Sequence, residues 1–188
     1  MEGLINLHNT FHGIDWLNKF FYLITCLGNI GFIWLLVASL LFLFKKTRAC
    51  SLVIFISLLL GHFFNNVFLK SIFERPRPFY KNEDFKDYIL GIGMELPVGT
   101  SFPSGHAFSS FLCATILALF NKKSALIFFP LAFLIAISRA YLCVHYPSDI
   151  LVGSILGVLF GLVCYYFYKV IVNKIERNKR LKVHNEKL

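Results

Sequence analysis

The chain alternates long apolar runs with short polar connectors. Five runs stand out: Cys26–Phe44, Ala49–Phe68, Ser104–Phe120, Ser124–Tyr141 and Ile150–Val172. A bilayer core of about 30 Å takes roughly 20 apolar residues in a helix, so each run is close to one crossing long. None keeps the polar face that a helix of a soluble protein shows to water. The pattern predicts an all-α fold: a polytopic membrane helical bundle of five transmembrane helices. Ahead of them, residues 1–25 mix Leu4, Ile5, Leu7, Phe11, Ile14, Trp16 and Leu17 with Asn, His and Asp. That mixture predicts an N-terminal amphipathic helix lying in the membrane interface, with a sixth, poorly formed span as the alternative. Lys19 is the only Lys or Arg in this segment, which lacks the basic start of a signal peptide. Residues 1–172 are expected to form one membrane-embedded domain, and 173–188 a basic tail.

Composition removes the competing classes. Hydrophobic residues make up 57% of the 188 positions and charged residues 15%, against roughly a quarter charged in a soluble domain. Mean hydropathy is +0.67. Soluble, disordered and fibrous chains are excluded on these figures. The net charge of +9 does not point to nucleic acid, because the cations sit in short clusters between apolar runs. Lys45, Lys46 and Arg48 follow the first run, Lys122 and Lys123 the third, and the basic tail the fifth. Alternating spans put all three clusters on one side, and the positive-inside rule makes that side cytoplasmic. The N-terminus, Leu69–Phe102 and Leu142–Asp149 are then expected outside, in a plasma membrane. The five cysteines form no CxxC pair, and their odd number argues for packing roles in place of disulfides or a metal site. Gly153, Gly157 and Gly161 fall on one face of the last run and are expected to admit a neighbouring helix within the bundle.

Apart from the cytoplasmic clusters, the ionisable residues gather in three blocks. The first is Lys70 to Pro78, the second Ser101 to His106, and the third Ser138-Arg139 with His145 and Asp149. The topology read from charge alone places all three on the outward face. Pro103 and Pro147 suit first positions of helices. Ser104, Gly105 and His106 then offer backbone N–H groups at a helix start, where an anion is favoured. Asp149 stands where it can hold one nitrogen of His145, leaving the other as nucleophile or base. With Lys70, Arg77 and Arg139 added, the set describes a phosphate site with an option for covalent catalysis. His62 and Asn66 read as interhelical polar residues, and Glu83–Asp87 as a solvated loop.

Lys70 with six residues before Arg77-Pro78, then Pro103-Ser104-Gly105-His106, then Ser138-Arg139 with five residues before His145 and three more before Asp149, resemble the type 2 phosphatidic acid phosphatase superfamily. The resemblance runs from about Trp16 to Val172. It implies that His145 attacks phosphorus to form a phosphohistidine, with Asp149 orienting its ring. It implies that His106 protonates the leaving oxygen and later activates water. Lys70, Arg77, Ser104, Gly105 and Arg139 would bind the phosphoryl oxygens. No cofactor and no metal are implied. The expected partners are membrane lipids and a lipid phosphate substrate, with undecaprenyl pyrophosphate first, and phosphatidylglycerophosphate or phosphatidic acid next. A lipid or anion transporter is the alternative of another class.

Overall fold

Asp15, Asn18 and Lys19 interrupt the apolar pattern near the N-terminus, yet Asp15–Phe42 forms one long helical stretch. The structure, a computed structural model, describes residues 1–185, with side chains through Lys182. Glu186, Lys187 and Leu188 of the expected tail lie outside the described residues. Helix α1 (Glu2–Phe11) is short and turns Leu4 inward; α2 (Asp15–Gly28) passes through a tight turn at Asn29–Gly31 into α3 (Phe32–Phe42). Residues 15–25 therefore belong to the first long apolar helix and not to the short one ahead of it. Asn18 tolerates burial because three of its amide's four hydrogen-bond positions are partnered. Its Nδ2 donates to His12 O at 2.9 Å, and its Oδ1 accepts from the hydroxyls of Tyr88 at 3.0 Å and Tyr141 at 2.7 Å. A satisfied amide carries little of the desolvation cost that would otherwise end a membrane helix there.

Helix α4 (Arg48–His62) continues as a π-helical segment, Phe63–Leu69, into the single turn α5 (Lys70–Ile72). After α6 (Glu83–Gly91) come α7 (Gly105–Phe120), α8 (Ala125–Tyr141) and α9 (Pro147–Asn185); among the described residues there is no strand. Among the described residues, four stretches are long and apolar enough to cross a bilayer: Asp15–Phe42, Arg48–Ile72, Lys122–Tyr141 and Pro147–Lys182. Helix α7, with 16 residues, reaches only about 24 Å. It is the most deeply packed helix, set against α4, α8 and α9, so neighbours and not lipid cover most of it.

The glycine stripe of α9 faces α7. A Cβ at Gly157 would collide with the carbonyl oxygen of Phe108, and one at Gly153 would stand 2.6 Å from that of Ser104. Backbone lies on backbone along this contact. Trp34, Ile54, Phe108, Leu112, Ile116 and Ile135 fill the centre of the bundle. A second core forms an outer layer, where Leu4, Phe79, Phe85, Ile89, Leu142 and Val144 pack α1 and α6 over the turn between α8 and α9. The acidic segment expected as a solvated loop is the start of α6. Asn82 caps it by accepting from the Asp84 N–H at 2.9 Å, Glu83 and Asp84 complement the helix dipole, and Phe85 and Ile89 bury one face.

Candidate active site

The three polar blocks meet at the ends of α5, α7, α8 and α9, opposite the ends that carry Lys45–Arg48 and Lys122–Lys123. Lys70, Arg77, Gly105, His106, Arg139 and His145 line one cavity of about 320 Å³. Asp149 stands behind His145, and Ser104 lies at the cap of α7; both are fully buried and neither lines the cavity. The π-helical segment re-aims the end of its helix, as such bulges do at functional sites, and brings Asn66 and Lys70 to the wall. Arg77 precedes the turn Pro78–Tyr80. Its guanidinium is locked by donation to Gly99 O at 2.9 Å, and to Val98 O and Val144 O at 3.2 Å each. Burial lowers its pKa only to about 10, so it keeps its charge. Arg139, 3% exposed, donates from Nη1 to the Thr25 hydroxyl, while its Nε is buried with no partner among the described residues.

The tautomer of His145 follows from its neighbours. Arg77 Nη1 lies 3.2 Å from His145 Nε2. A guanidinium only donates, so Nε2 accepts and carries no proton. On the other side of the ring, Nδ1 is 3.3 Å from Ser101 Oγ and 3.6 Å from Asp149 Oδ2. The longer distance is beyond a hydrogen bond. The Ser101 hydroxyl, 2.5 Å from Asp149 Oδ2, donates to that carboxylate and can accept from Nδ1–H. Thus a serine links Asp149 to His145. Burial holds the His145 imidazole well below its usual range against the pull of Asp149, and Arg77, Arg139 and Lys70 add to that effect. The ring is neutral at pH 7, with its unprotonated Nε2 turned to Arg77 at the cavity wall.

Asp149 has further holds. Its Oδ2 also accepts the Tyr146 N–H at 2.9 Å, and its Oδ1 takes Arg75 Nη1 at 2.6 Å. Arg75 stacks its guanidinium over the Tyr146 ring, 3.9 Å from the centroid, and reaches Ser148 Oγ at 2.8 Å. Asp149 is therefore neutralised from behind. The cavity wall itself keeps three cations and, among the described residues, no carboxylate. Such a lining attracts an anion and disfavours a divalent cation.

At the start of α7, Ser104 is the N-cap, accepting from the Ala107 N–H at 3.4 Å, and its own N–H donates to Asp149 O at 3.0 Å. Pro103 thus precedes the cap and does not occupy the first helical position, whereas Pro147 does begin α9. A Cβ at Gly105 would stand 2.9 Å from Asn66 Oδ1, so only glycine admits that amide. Asn66 Nδ2 lies 3.2 Å from His62 Nδ1, and both residues line the cavity. His106 Nε2 is 3.1 Å from Asn29 Oδ1, in the turn between α2 and α3. Beyond the polar end the cavity is walled by Ile30, Leu35, Leu58, Phe108 and Leu112, a surface suited to an alkyl chain.

Ser101, Arg75 and Asn29 join the site without standing out in the sequence. Ser101 and Arg75 sit inside polar blocks, but nothing about their spacing distinguishes a hydroxyl or guanidinium that meets a carboxylate 48 or 74 positions away. Asn29 sits within an apolar run, and only the helix break, with Ile30 and Gly31 both at positive φ, aims it at His106.

Several known proteins are similar to this chain. The structure of LpxE from Aquifex aeolicus superposes with a TM-score of 0.63 at 30% identity, over 87% of this chain and 92% of that one. Phosphatidylglycerophosphatase B of Bacillus subtilis is 30% identical over 86% of this chain and 78% of its own length. An undecaprenyl-diphosphatase of Sulfolobus acidocaldarius is 33% identical over 67% of this chain and 59% of its own. The chain spans 36%, 50% and 59% of the length of three curated relatives it matches. The family model described as PAP2 superfamily matches residues 49–172 and so takes in all three polar blocks. On that match and these likenesses, the chain belongs to the PAP2 superfamily.

Proposed function

We propose that this protein is an integral membrane lipid phosphatase that works through a phosphohistidine on His145. The observation that carries this reading is the unprotonated Nε2 of a neutral, buried His145, held by Arg77 at a cavity lined by three cations and, among the described residues, no carboxylate. When Arg77 passes its Nη1–H to a phosphoryl oxygen, the Nε2 lone pair is freed. Nε2 attacks phosphorus, the N–P bond forms, and the bond to the leaving oxygen breaks. His106, whose Nε2 proton rests on Asn29 in the free protein, gives that proton to the leaving oxygen. The Nδ1 proton stays on His145, and Asp149 balances the phosphoimidazolium through Ser101. Water then attacks, His106 takes its proton, and inorganic phosphate leaves as the N–P bond breaks.

Charge spreads over the equatorial oxygens in such transfers, so fixed donors supply most of the rate. Lys70, Arg77 and Arg139 are those donors, with the Gly105 N–H beside them. Ser104 supports this by capping α7 and holding its start to α9. The orphaned Arg139 Nε finds its partner in a phosphoryl oxygen.

Undecaprenyl pyrophosphate is the leading substrate, supported by the likeness to a relative of that specificity and by the apolar wall that accepts a polyprenyl chain. Phosphatidylglycerophosphate is the second, supported by the longer alignment with phosphatidylglycerophosphatase B. Purified protein in detergent, assayed for phosphate release on both lipids and on phosphatidic acid, should hydrolyse the diphosphate fastest. Turnover should persist in excess EDTA, because the chain's own cations neutralise the phosphate. Activity lost on chelation and restored by magnesium would overturn the mechanism; no release from any lipid phosphate would overturn the function.

The cavity is read as facing outward from a plasma membrane, a reading supported by the basic turns and tail through the positive-inside rule. In cells carrying Glu83→Cys or Lys122→Cys without the native cysteines, an impermeant thiol reagent should label the first and spare the second. The reverse pattern inverts the protein and moves catalysis to the cytoplasm.

A further inference from the structure

The outer layer holds a second cluster of ligand-type side chains, and the cavity uses none of them. His8 and His12 stand one turn apart at the end of α1, and Cys143 lies in the turn between α8 and α9. The Sγ and one ring nitrogen of each histidine all lie within 4.8 Å of one another. The turn also carries His145, two residues on.

The hydrogen bonding of His12 shows where its lone pair points. Its Nε2 is 2.7 Å from the Tyr141 carbonyl oxygen. A carbonyl only accepts, so Nε2 holds the ring proton and Nδ1 is bare. That bare Nδ1 faces Nδ1 of His8. A histidine that binds a metal characteristically donates its other N–H to a carbonyl or carboxylate, which fixes tautomer and ring orientation. The aromatic shell does the rest of the orienting. Tyr88 stacks on His12 with ring centroids 3.8 Å apart and planes 3° from parallel, and Phe85 lies 5.2 Å from the His8 ring.

The Cys143 Sγ makes only a weak 3.7 Å approach to Tyr141 O, which leaves the sulfur available to a metal.

We propose that His8, His12 and Cys143 bind one zinc-class divalent cation through two imidazoles and a thiolate. An N₂S donor set suits a borderline-soft metal and not calcium or magnesium, which take oxygen. Three protein ligands leave a fourth, tetrahedral position for water, reached from the partly exposed side of His8. On binding, the thiol proton goes to solvent and any proton on His8 Nδ1 moves to its Nε2, so one proton is released per metal. The metal clamps the N-terminal helix to the turn that carries His145. It takes no part in phosphoryl transfer, and the proposal stands on residues separate from the phosphatase reading.

Cobalt(II) is the probe. Full-length protein, freed of any affinity tag, is stripped with EDTA, dialysed and titrated with Co²⁺ in detergent without substrate. One equivalent should bind, giving the visible bands of tetrahedral cobalt and a near-ultraviolet thiolate-to-cobalt charge-transfer band, both erased by Zn²⁺. Cys143→Ser should lose the charge-transfer band, and Cys26→Ser should keep it. His8→Gln, on the partly exposed helix face, should weaken Co²⁺ binding by at least about tenfold and keeps the test open should the cysteine variant fail to fold. No charge-transfer band in the parent at equimolar Co²⁺, or an unchanged band in Cys143→Ser, overturns the site. Because the readout is a spectrum, a protein inactive on every lipid phosphate still tests it.

Discussion

His145→Ala should abolish phosphate release and, with it, any acid-labile phosphoenzyme. The loss expected is on the order of 10⁴-fold or more in kcat, as for removal of other enzymic nucleophiles and their bases. The size follows from what remains. Arg77, Arg139 and Lys70 still bind the phosphate, but no lone pair faces phosphorus, and water held in the cavity lacks the fixed alignment of a ring locked between Arg77 and Ser101. The fold should survive, since Arg77 keeps its carbonyl partners at positions 98, 99 and 144. The check is kcat on the preferred lipid, together with acid-quenched protein after exposure to phosphate-labelled substrate. Turnover comparable to the parent's removes His145 as the nucleophile.

Asp149→Asn is expected to cost almost as much without touching phosphorus. The buried carboxylate accepts from Ser101, the Tyr146 N–H and Arg75 at once. An amide presents one acceptor and one donor in that place. Its NH₂ would face either Ser101 and the Tyr146 N–H or Arg75, and each of these arrives as a donor. If Ser101 turns its hydroxyl proton toward Nδ1, the His145 proton is driven to Nε2 and the nucleophilic lone pair leaves the cavity. The comparable substitution in a serine protease triad lowers kcat by roughly 10⁴-fold through the wrong tautomer. A kcat loss of that order with KM nearly unchanged is the expected split. A rise in KM alone would show that Asp149 shapes binding and not the ring.

Much of this site is legible in the sequence because charge near a membrane is costly and therefore conspicuous. Lys70, Arg77, His106, Arg139 and His145 stand out against apolar runs, and the structure gathers all five on one cavity wall. The first long helix was less legible for the same reason. Asp15, Asn18 and Lys19 look like an interruption, and the partners that satisfy Asn18 come from α6 and α8, about 70 and 123 positions along. Ser101 is hidden in another way. A serine costs little anywhere, so its hydroxyl draws notice only once Asp149 and His145 flank it. Helix α6 did carry a local signal, the cap Asn82 with Phe85 and Ile89 one turn apart, which the acidic composition of Glu83–Asp87 masks.

The glycine contact between α7 and α9 has a mechanical consequence. His106 rides on the first turn of α7 and Asp149 on the first turn of α9, beside His145, and the Ser104 N–H joins the two starts directly. With the carbonyls of Ser104 and Phe108 seated against Gly153 and Gly157, backbone meets backbone there and resists sliding of one helix past the other. A bilayer that thins or thickens is met by helices that tilt, and here the pair must tilt as one beam. The spacing of His106 and His145 is thereby insulated from membrane thickness.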